Sequence, residues 1–173
     1  TFLNSSKYKE ISAKTKAAAC ITSDGLSKFL PHECIKLNVK NVLYAVTQAS
    51  RMFYPNADLD TLDENLSKIE DVSKHYKNIK YGKNVLVGKN VTIGKNTCIG
   101  SNSIIESNVT VGCNCVIGNQ VVIKNSVISN DVHIQDGSKI GVKGFGFIPI
   151  NNKNIRTPHI GKVLLEDNVE IGA

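Results

Sequence analysis

The sequence predicts a mainly β protein in which a three-sided parallel β-solenoid follows a small, partial α/β domain. The first observation is that an aliphatic residue or tyrosine recurs every six residues, at Tyr81, Val87, Ile93, Ile99, Ile105, Val111, Ile117 and Ile123. The second is that Gly follows most of these residues, with Glu106 and Lys124 as exceptions, and that Asn precedes most of them by three positions. This period fits neither an amphipathic helix nor an alternating strand, and indicates a repeat of one short strand and one turn.

The repeat also predicts what fills the solenoid. Three repeats make one coil, so Ile93 should stack on Val111 and Val87 on Ile105. A small or β-branched residue two positions before each repeat site should point inward, namely Val85, Val91, Thr97, Ser103, Val109, Cys115 and Val121. Gly and Asn are both expected to supply positive φ at the corners. An all-β sandwich explains the six-residue period less well, because its turns would recur about every 8 to 12 residues.

Residues before the repeat follow a different pattern, so we predict a partial α/β domain over 1–66 and the solenoid over 67–173. In the first domain, composition and apolar spacing indicate two strands and one helix. The expected elements are strands over 17–21 and 34–39, a helix over 41–53 that Pro55 terminates, and an acidic linker over 58–64.

The solenoid carries irregularities at both ends. The six-residue step can be traced back through His75 to Ile69, which predicts that the solenoid begins there. After Ile123 the register skips by one residue and resumes at Ile128. Residues 142–162 then interrupt the repeat, and an ejected loop of this length usually has a function, although it could also cover a neighbouring subunit.

Charge and cysteine usage limit the functional classes. The net charge is +6, and lysines at corners such as Lys83, Lys89 and Lys95 indicate a solvated rim or an acidic partner. Few aromatic residues are interleaved with the basic ones, which argues against nucleic acid. No apolar stretch is long enough for a membrane span. Five cysteines without framework spacing favour free thiols, no metal site and a cytoplasmic location.

Three motifs, in this order along the chain, resemble one family. Residues 1–8 resemble its uracil-binding segment, residues 140–147 its ejected loop ending in Gly-Phe-Gly-Phe, and residues 159–173 its return to the solenoid. With the hexapeptides, these motifs resemble the UDP-3-O-(3-hydroxyacyl)glucosamine N-acyltransferases of lipid A biosynthesis. The resemblance implies a left-handed parallel β-helix and a homotrimer. It also implies transfer of a 3-hydroxyacyl chain from acyl carrier protein to the 2-amino group of the UDP-sugar, with no cofactor beyond the carrier's acyl-phosphopantetheine.

The resemblance implies roles for individual residues. Phe2 and Tyr8 match the aromatic residues that sandwich the uracil, a flat surface suited to stacking. Ser5 stands where the family usually has Asn, and its hydroxyl offers fewer hydrogen bonds than an amide. The residues that match the loop bordering the acyl channel are Gly144, Phe145, Gly146 and Phe147.

No catalytic residue is assigned within the chain. The sequence begins at Thr1 and ends in mid-repeat at Ala173, so we expect truncation at both ends and the family's histidine base beyond Ala173. Four histidines are not proposed in its place: His32, His75, His133 and His159.

Two other functional classes remain open. One is another hexapeptide UDP-sugar O-acyltransferase, although the preceding α/β domain argues against it. The other is a non-catalytic β-helix scaffold or a γ-type carbonic anhydrase. The anhydrase needs a histidine triad for zinc, and only His133 lies on a regular repeat.

Overall fold

The computed structural model describes residues 1–59 and 61–172. Contacts divide the chain into two units. The N-terminal unit consists of Thr1–Asp60 and Phe145–Ile160, and the solenoid unit consists of Thr61–Gly144 and Gly161–Ala173.

Short elements follow one another along both units. The helices are a 3₁₀ helix at Ser6–Tyr8, α1 (Lys9–Ser12), α2 (Asp24–Ser27), α3 (Val42–Phe53), α4 (Ile69–Val72) and a 3₁₀ helix at Ser73–His75. The strands are β1 (Ala19–Thr22), β2 (Ile35–Asn38), β3 (Ser67–Lys68), β4 (Lys80–Tyr81), β5 (Leu86–Val87), β6 (Thr92–Ile93), β7 (Cys98–Ile99), β8 (Ile104–Ile105), β9 (Thr110–Val111), β10 (Val116–Ile117), β11 (Val122–Ile123), β12 (Ser126–Ile128), β13 (His133–Ile134), β14 (Lys139–Ile140), β15 (Phe147–Ile150), β16 (Lys153–Arg156), β17 (Val163–Leu165) and β18 (Glu170–Ile171). None of the helices among these residues has the length and hydropathy to cross a membrane.

The N-terminal unit packs around a small core. Strands β1 and β2 lie close to the predicted segments and pair in parallel. Cys20 of β1 and Cys34, which immediately precedes β2, join two leucines in one apolar cluster, which consists of Leu3, Cys20, Leu30 and Cys34. The predicted helix is confirmed as α3, which begins after Asn41 because the Asn41 Oδ1 accepts a hydrogen bond from the Tyr44 amide at 3.0 Å.

The ejected loop forms a β-hairpin that belongs to the N-terminal unit. Strands β15 and β16 pair antiparallel, with Phe147 opposite Arg156. The Arg51 guanidinium of α3 donates to the Arg156 carbonyl at 3.0 Å and pairs with Asp58 at 2.8 Å. The hairpin is therefore tied to α3 by a charged hydrogen bond as well as by packing.

The solenoid unit has three sheets, one for each side of the coil, in which the repeat strands pair in parallel and the short β3 pairs antiparallel with β5. Their strand orders are β18-β13-β10-β7-β4, β14-β11-β8-β5 with β3 at the edge, and β17-β12-β9-β6. The predicted stacking is confirmed, since Ile93 pairs with Val111 and Val87 with Ile105. All seven predicted inward residues are buried: Val85, Val91, Thr97, Ser103, Val109, Cys115 and Val121.

Polar inward residues satisfy the backbone of the next coil. The Thr97 hydroxyl donates to the Gly112 carbonyl at 2.9 Å and accepts from the Cys115 amide at 3.2 Å. Ser103 does the same one side later, with the Gly118 carbonyl at 2.8 Å and the Val121 amide at 3.1 Å. These hydroxyls are tolerated in an aliphatic interior because each one donates and accepts.

Asn and Gly play different roles at the corners. The corner Asn residues have positive φ as predicted, for example 63° at Asn96. The prediction that Gly shares this conformation is wrong for the regular corners, because only Gly137 and Gly141 have positive φ among the described glycines. Gly is needed there for space, since a Cβ on Gly94 would lie 2.4 Å from the Gly112 carbonyl carbon of the next coil.

The solenoid starts later than predicted. Residues 69–75 are helical rather than a first coil, and the first strand of the repeat is β4. Ile69 nevertheless lies fully buried in the solenoid core, and its amide donates to the Val85 carbonyl at 3.0 Å. A residue that caps the first coil must fill the same interior position as a repeat residue, which explains why Ile69 matched the period.

The register skip and the return of the repeat are both confirmed. Ile128 pairs with Val111, one residue earlier than the regular spacing would give. After the hairpin, β17 pairs with β12 and places Leu165 beside Ile128. The two exceptions to the Gly pattern, Glu106 and Lys124, occupy one column of successive coils and form an ion pair.

The linker residue Asp63 is bound to the solenoid near the skip. At regular corners an amide such as that of Lys89 donates to a side chain of the next coil, here the Ser107 hydroxyl at 2.9 Å. The Ser107 amide instead donates to Asp63 Oδ2 at 2.7 Å. Burial raises the pKa of the Asp63 carboxyl, but hydrogen bonds from Ser107 and Asn65 outweigh it and hold this pKa below its ordinary value.

Candidate functional site

Phe2 and Tyr8 border one cleft of the N-terminal unit. Phe2 forms a β-bridge with Ile21, and the next amide, that of Leu3, donates to the Ile21 carbonyl at 2.9 Å. Tyr8 ends the first 3₁₀ helix, and its carbonyl accepts from the Ser12 hydroxyl at 2.6 Å. The backbone thus fixes both aromatic residues while leaving their side chains 50% and 59% exposed.

The cleft has a volume of about 460 Å³ and a largely apolar lining. The lining residues are Thr1, Phe2, Tyr8, Ile11, Ser12, Lys14, Thr15, Cys20 and Leu30. Two exposed aromatic faces beside aliphatic side chains suit a flat heterocycle, and the three Ser and Thr hydroxyls and the lysine could bind polar groups attached to it. The assignment of Phe2 and Tyr8 to uracil stays a prediction, but the structure brings them to the same cleft.

Ser5 does not line this cleft. Its Oγ accepts a hydrogen bond from the Lys7 amide at 3.3 Å and caps the 3₁₀ helix that carries Tyr8. Asn is an equally good cap, because its side-chain oxygen makes the same bond. The structure therefore gives Ser5 a role in holding the segment, and its contact with nucleotide remains a prediction.

Cys20 lies on the floor of the cleft as a neutral thiol. Its side chain is buried. Desolvation raises the pKa of Cys20, and the electrostatic effect of the neighbouring Cys34 thiol raises it further. A buried thiol of raised pKa is a poor nucleophile, since the thiolate is the reactive form. The cleft also contains no histidine or carboxylate among its lining residues, so it is suited to binding rather than to acid–base chemistry.

The Gly-Phe-Gly-Phe motif lies at the base of the hairpin. Phe145 is 97% exposed, and its ring meets Phe147 edge to face at a centroid distance of 4.8 Å. A Cβ on Gly146 would lie 2.5 Å from the Thr157 hydroxyl, so a larger residue here would require the Thr157 side chain to move. Gly144 immediately precedes the segment that joins the N-terminal unit.

A second cleft, about 230 Å³, lies between α3 and the hairpin. Its lining is mostly apolar and consists of Leu43, Val46, Thr47, Ser50, Gly146, Phe147, Ile148, Thr157 and Pro158. Of the four predicted loop residues, Gly146 and Phe147 are in this lining. An apolar cleft of this kind can accept an alkyl chain, although its volume is that of only part of a long acyl group.

A larger cleft, which the sequence did not indicate, lies in the solenoid unit. It measures about 720 Å³ and contains none of the predicted site residues. Val91 and Ile93 contribute to its apolar side, while His75, Tyr76 and Lys89 contribute polar groups. The Tyr76 hydroxyl donates to the Val91 carbonyl at 3.2 Å, and burial raises the pKa of Tyr76. The helical residues that form this cleft were interpreted as a first coil, which is why sequence reasoning missed it.

The four histidines are not brought together. His133 is exposed on β13, while the preceding Val132 is buried. The other three, His32, His75 and His159, are also exposed. Across residues 1–59 and 61–172, no group of three His, Cys, Asp or Glu side chains could hold a metal ion.

Comparison with known proteins identifies the repeat. A family described as bacterial transferase hexapeptide (six repeats) matches residues 82–113. This match covers the corners and strands at the start of the regular solenoid.

Three bacterial enzymes match 40–46 residues of the chain. A UDP-3-O-acylglucosamine N-acyltransferase of Idiomarina loihiensis is 48% identical over 46 residues, which are 27% of this chain and 14% of the relative. The enzymes of the same name from Fusobacterium nucleatum and Rhizobium rhizogenes are 52% identical over 40 residues and 46% identical over 46 residues. These two matches cover 23% and 27% of this chain, and 12% and 13% of the relatives. Residues 82–113 thus match bacterial transferase hexapeptide repeats, and 40–46 residues of the chain are similar to UDP-3-O-acylglucosamine N-acyltransferases, which confirms the resemblance inferred from its sequence.

Proposed function

We propose that this chain is part of an N-acyltransferase that acts on a UDP-3-O-acylglucosamine. In this proposal the enzyme moves a 3-hydroxyacyl chain from acyl carrier protein to the 2-amino group of the sugar. The observation that carries the proposal is the pair Phe2 and Tyr8, whose exposed rings line one cleft of about 460 Å³. The similarity to enzymes whose name includes a UDP-sugar supports a uridine nucleotide as the proposed ligand.

The proposal divides the work among the parts of the chain. The N-terminal unit binds the nucleotide, and the apolar cleft beside Gly146 and Phe147 accepts part of an acyl chain. The solenoid winds left-handed and associates into a cytoplasmic homotrimer, with the acidic carrier protein attracted to corner lysines such as Lys83 and Lys95. No catalytic base is assigned to the described residues.

Binding of uridine nucleotides to the full-length protein tests the proposal. We expect Phe2→Ala and Tyr8→Ala each to weaken UDP-GlcNAc binding in calorimetric titration. The loss should be about 1–3 kcal/mol, the range found for a base stacked on an aromatic side chain. Ser5→Asn should retain or improve affinity, because the amide preserves the helix cap and adds a donor.

The matched control uses aromatic residues of the same unit that lie outside the cleft. Phe53 is 80% exposed and Tyr54 is 54% exposed, and neither lines the cleft. Phe53→Ala and Tyr54→Ala should bind UDP-GlcNAc like the unaltered protein. Equal affinity in all four alanine variants would overturn the assignment of Phe2 and Tyr8.

A further inference from the structure

We propose that Lys14 binds the diphosphate of a uridine nucleotide whose base lies between Phe2 and Tyr8. This inference rests on the proposed function and deepens it, because it names the charged group that distinguishes a nucleotide from a nucleoside. Among the described side chains that line the aromatic cleft, Lys14 alone carries a charge. A ligand with an aromatic base and an anionic tail fits a cleft with two rings and one ammonium group.

The backbone around Lys14 is ordered by local hydrogen bonds. The Lys14 amide donates to the Ile11 carbonyl at 3.1 Å, and the Thr15 amide donates to the Ser12 carbonyl at 3.2 Å. The Thr15 hydroxyl then accepts from the Ala17 amide at 3.3 Å. These bonds close the turn after α1, so the lysine leaves the backbone from a defined point at the edge of the cleft.

Nearby lysines have surroundings less suited to an anion. A neighbouring cleft of about 350 Å³, which shares Leu30 with the aromatic cleft, is lined by Lys9 and Lys28 but also by Glu10. The Lys28 ammonium lies 5.3 Å from the centre of the Phe29 ring, where a cation is already stabilised by the aromatic face. The carboxylate of Glu10 in the lining disfavours an anion there, and the Phe29 ring already stabilises the Lys28 ammonium.

Lys16 provides an internal comparison. It is exposed, lies two positions from Lys14 in the same basic segment, and lines neither cleft. Replacing either lysine changes the net charge by the same amount. A difference between their effects therefore reports the position of the charge relative to the bound ligand, and not the overall field of the protein.

The test is calorimetric titration of the full-length protein with uridine and with UDP at low and at high salt. The unaltered protein should bind UDP about three- to tenfold more tightly than uridine at low salt, since an exposed ion pair contributes modestly and is screened. Lys14→Gln should abolish most of this preference while leaving uridine affinity unchanged, and Lys14→Arg should restore it. Lys16→Gln should behave like the unaltered protein.

Other results would contradict either the role of Lys14 or the proposed function. If UDP keeps its preference in Lys14→Gln, or loses it equally in Lys16→Gln, Lys14 does not bind the diphosphate. Loss of the preference in Lys28→Gln alone would place the anion in the neighbouring cleft and overturn the inference in the same way. If neither uridine nor UDP binds the unaltered protein, the proposed function fails together with this inference.

Discussion

The solenoid unit and the N-terminal unit bury their apolar residues to very different extents. In the solenoid, interior residues such as Ile105, Val109 and Val121 are completely buried, and each repeats an environment found one coil away. The apolar cluster described in the N-terminal unit contains four buried residues, while Met52 and Phe53 are 82% and 80% exposed. The strict repeat of the solenoid places its recurring aliphatic residues in the interior. The N-terminal unit has no such repeat, and it leaves apolar surface exposed that a ligand can contact.

The largest expected effect comes from filling the solenoid interior. Ser103→Phe should lower the free energy of unfolding by about 2–5 kcal/mol, because it overpacks the coil and leaves the Gly118 carbonyl and Val121 amide without their hydroxyl partner. Thr110→Phe, at an exposed position of β9, is the matched control and should be close to neutral. Urea unfolding of both variants measures the difference, and equal stability would place Ser103 outside the interior.

Glycine should respond in opposite directions in the two units. A Cβ on Gly100 would lie 2.4 Å from the Gly118 carbonyl carbon, so Gly100→Ala should destabilise the solenoid by about 1–3 kcal/mol. A Cβ on Gly25 in α2 would meet nothing within 4 Å, so Gly25→Ala should stabilise the protein by up to about 1 kcal/mol. Thermal unfolding of the two variants measures both changes. If Gly25→Ala also destabilised the protein, the predicted difference between the two units would be wrong.

The corner asparagines combine a conformational and a hydrogen-bonding contribution. The Asn96 side chain accepts from Asn78 at 2.7 Å and donates to Asn114 at 3.1 Å. Asn96→Ala should cost about 1–2 kcal/mol, because alanine resists the φ of 63° and loses both bonds. Asn96→Gly accepts that φ and loses only the bonds, so it should cost less. Identical unfolding free energies for the two variants would show that the backbone conformation contributes nothing.

The smallest effect concerns the linker at Asp63. Its carboxyl has a lowered pKa when folded, so its stabilising contribution is present above the ordinary Asp pKa and is lost as pH falls through the folded value. Asp63→Ala should therefore be less stable than the unaltered protein near pH 7, and the two should converge below about pH 4. Urea unfolding across this range measures the difference. A gap that stays constant down to acid pH would exclude the carboxylate as its cause.

Sequence alone predicted most of the solenoid because its rules are local. The stacking of Ile93 on Val111 and the burial of Ser103 follow from the period and from coil geometry. Glycine was misinterpreted at the corners because its role depends on the distance to the next coil, which composition does not reveal. Residues 69–75 were misassigned because Ile69 fills an interior position although it lies in a helix.

The candidate site could be predicted only in part. Phe2 and Tyr8 came from a resemblance, and their shared cleft depends on Leu30 and Cys20, which come from distant parts of the sequence. The capping bond of Ser5 and the position of Lys14 in the cleft depend on a short helix and a turn that no periodic pattern marks. The same holds for the Tyr76 cleft, which forms where the cap of the solenoid departs from the repeat.

The most direct test is a crystal structure of the full-length protein with UDP-GlcNAc bound. The account predicts a uracil ring between Phe2 and Tyr8, with the diphosphate within hydrogen-bonding distance of the Lys14 ammonium. A nucleotide bound beside His75 and Tyr76 in the solenoid cleft, with the aromatic cleft empty, would contradict it.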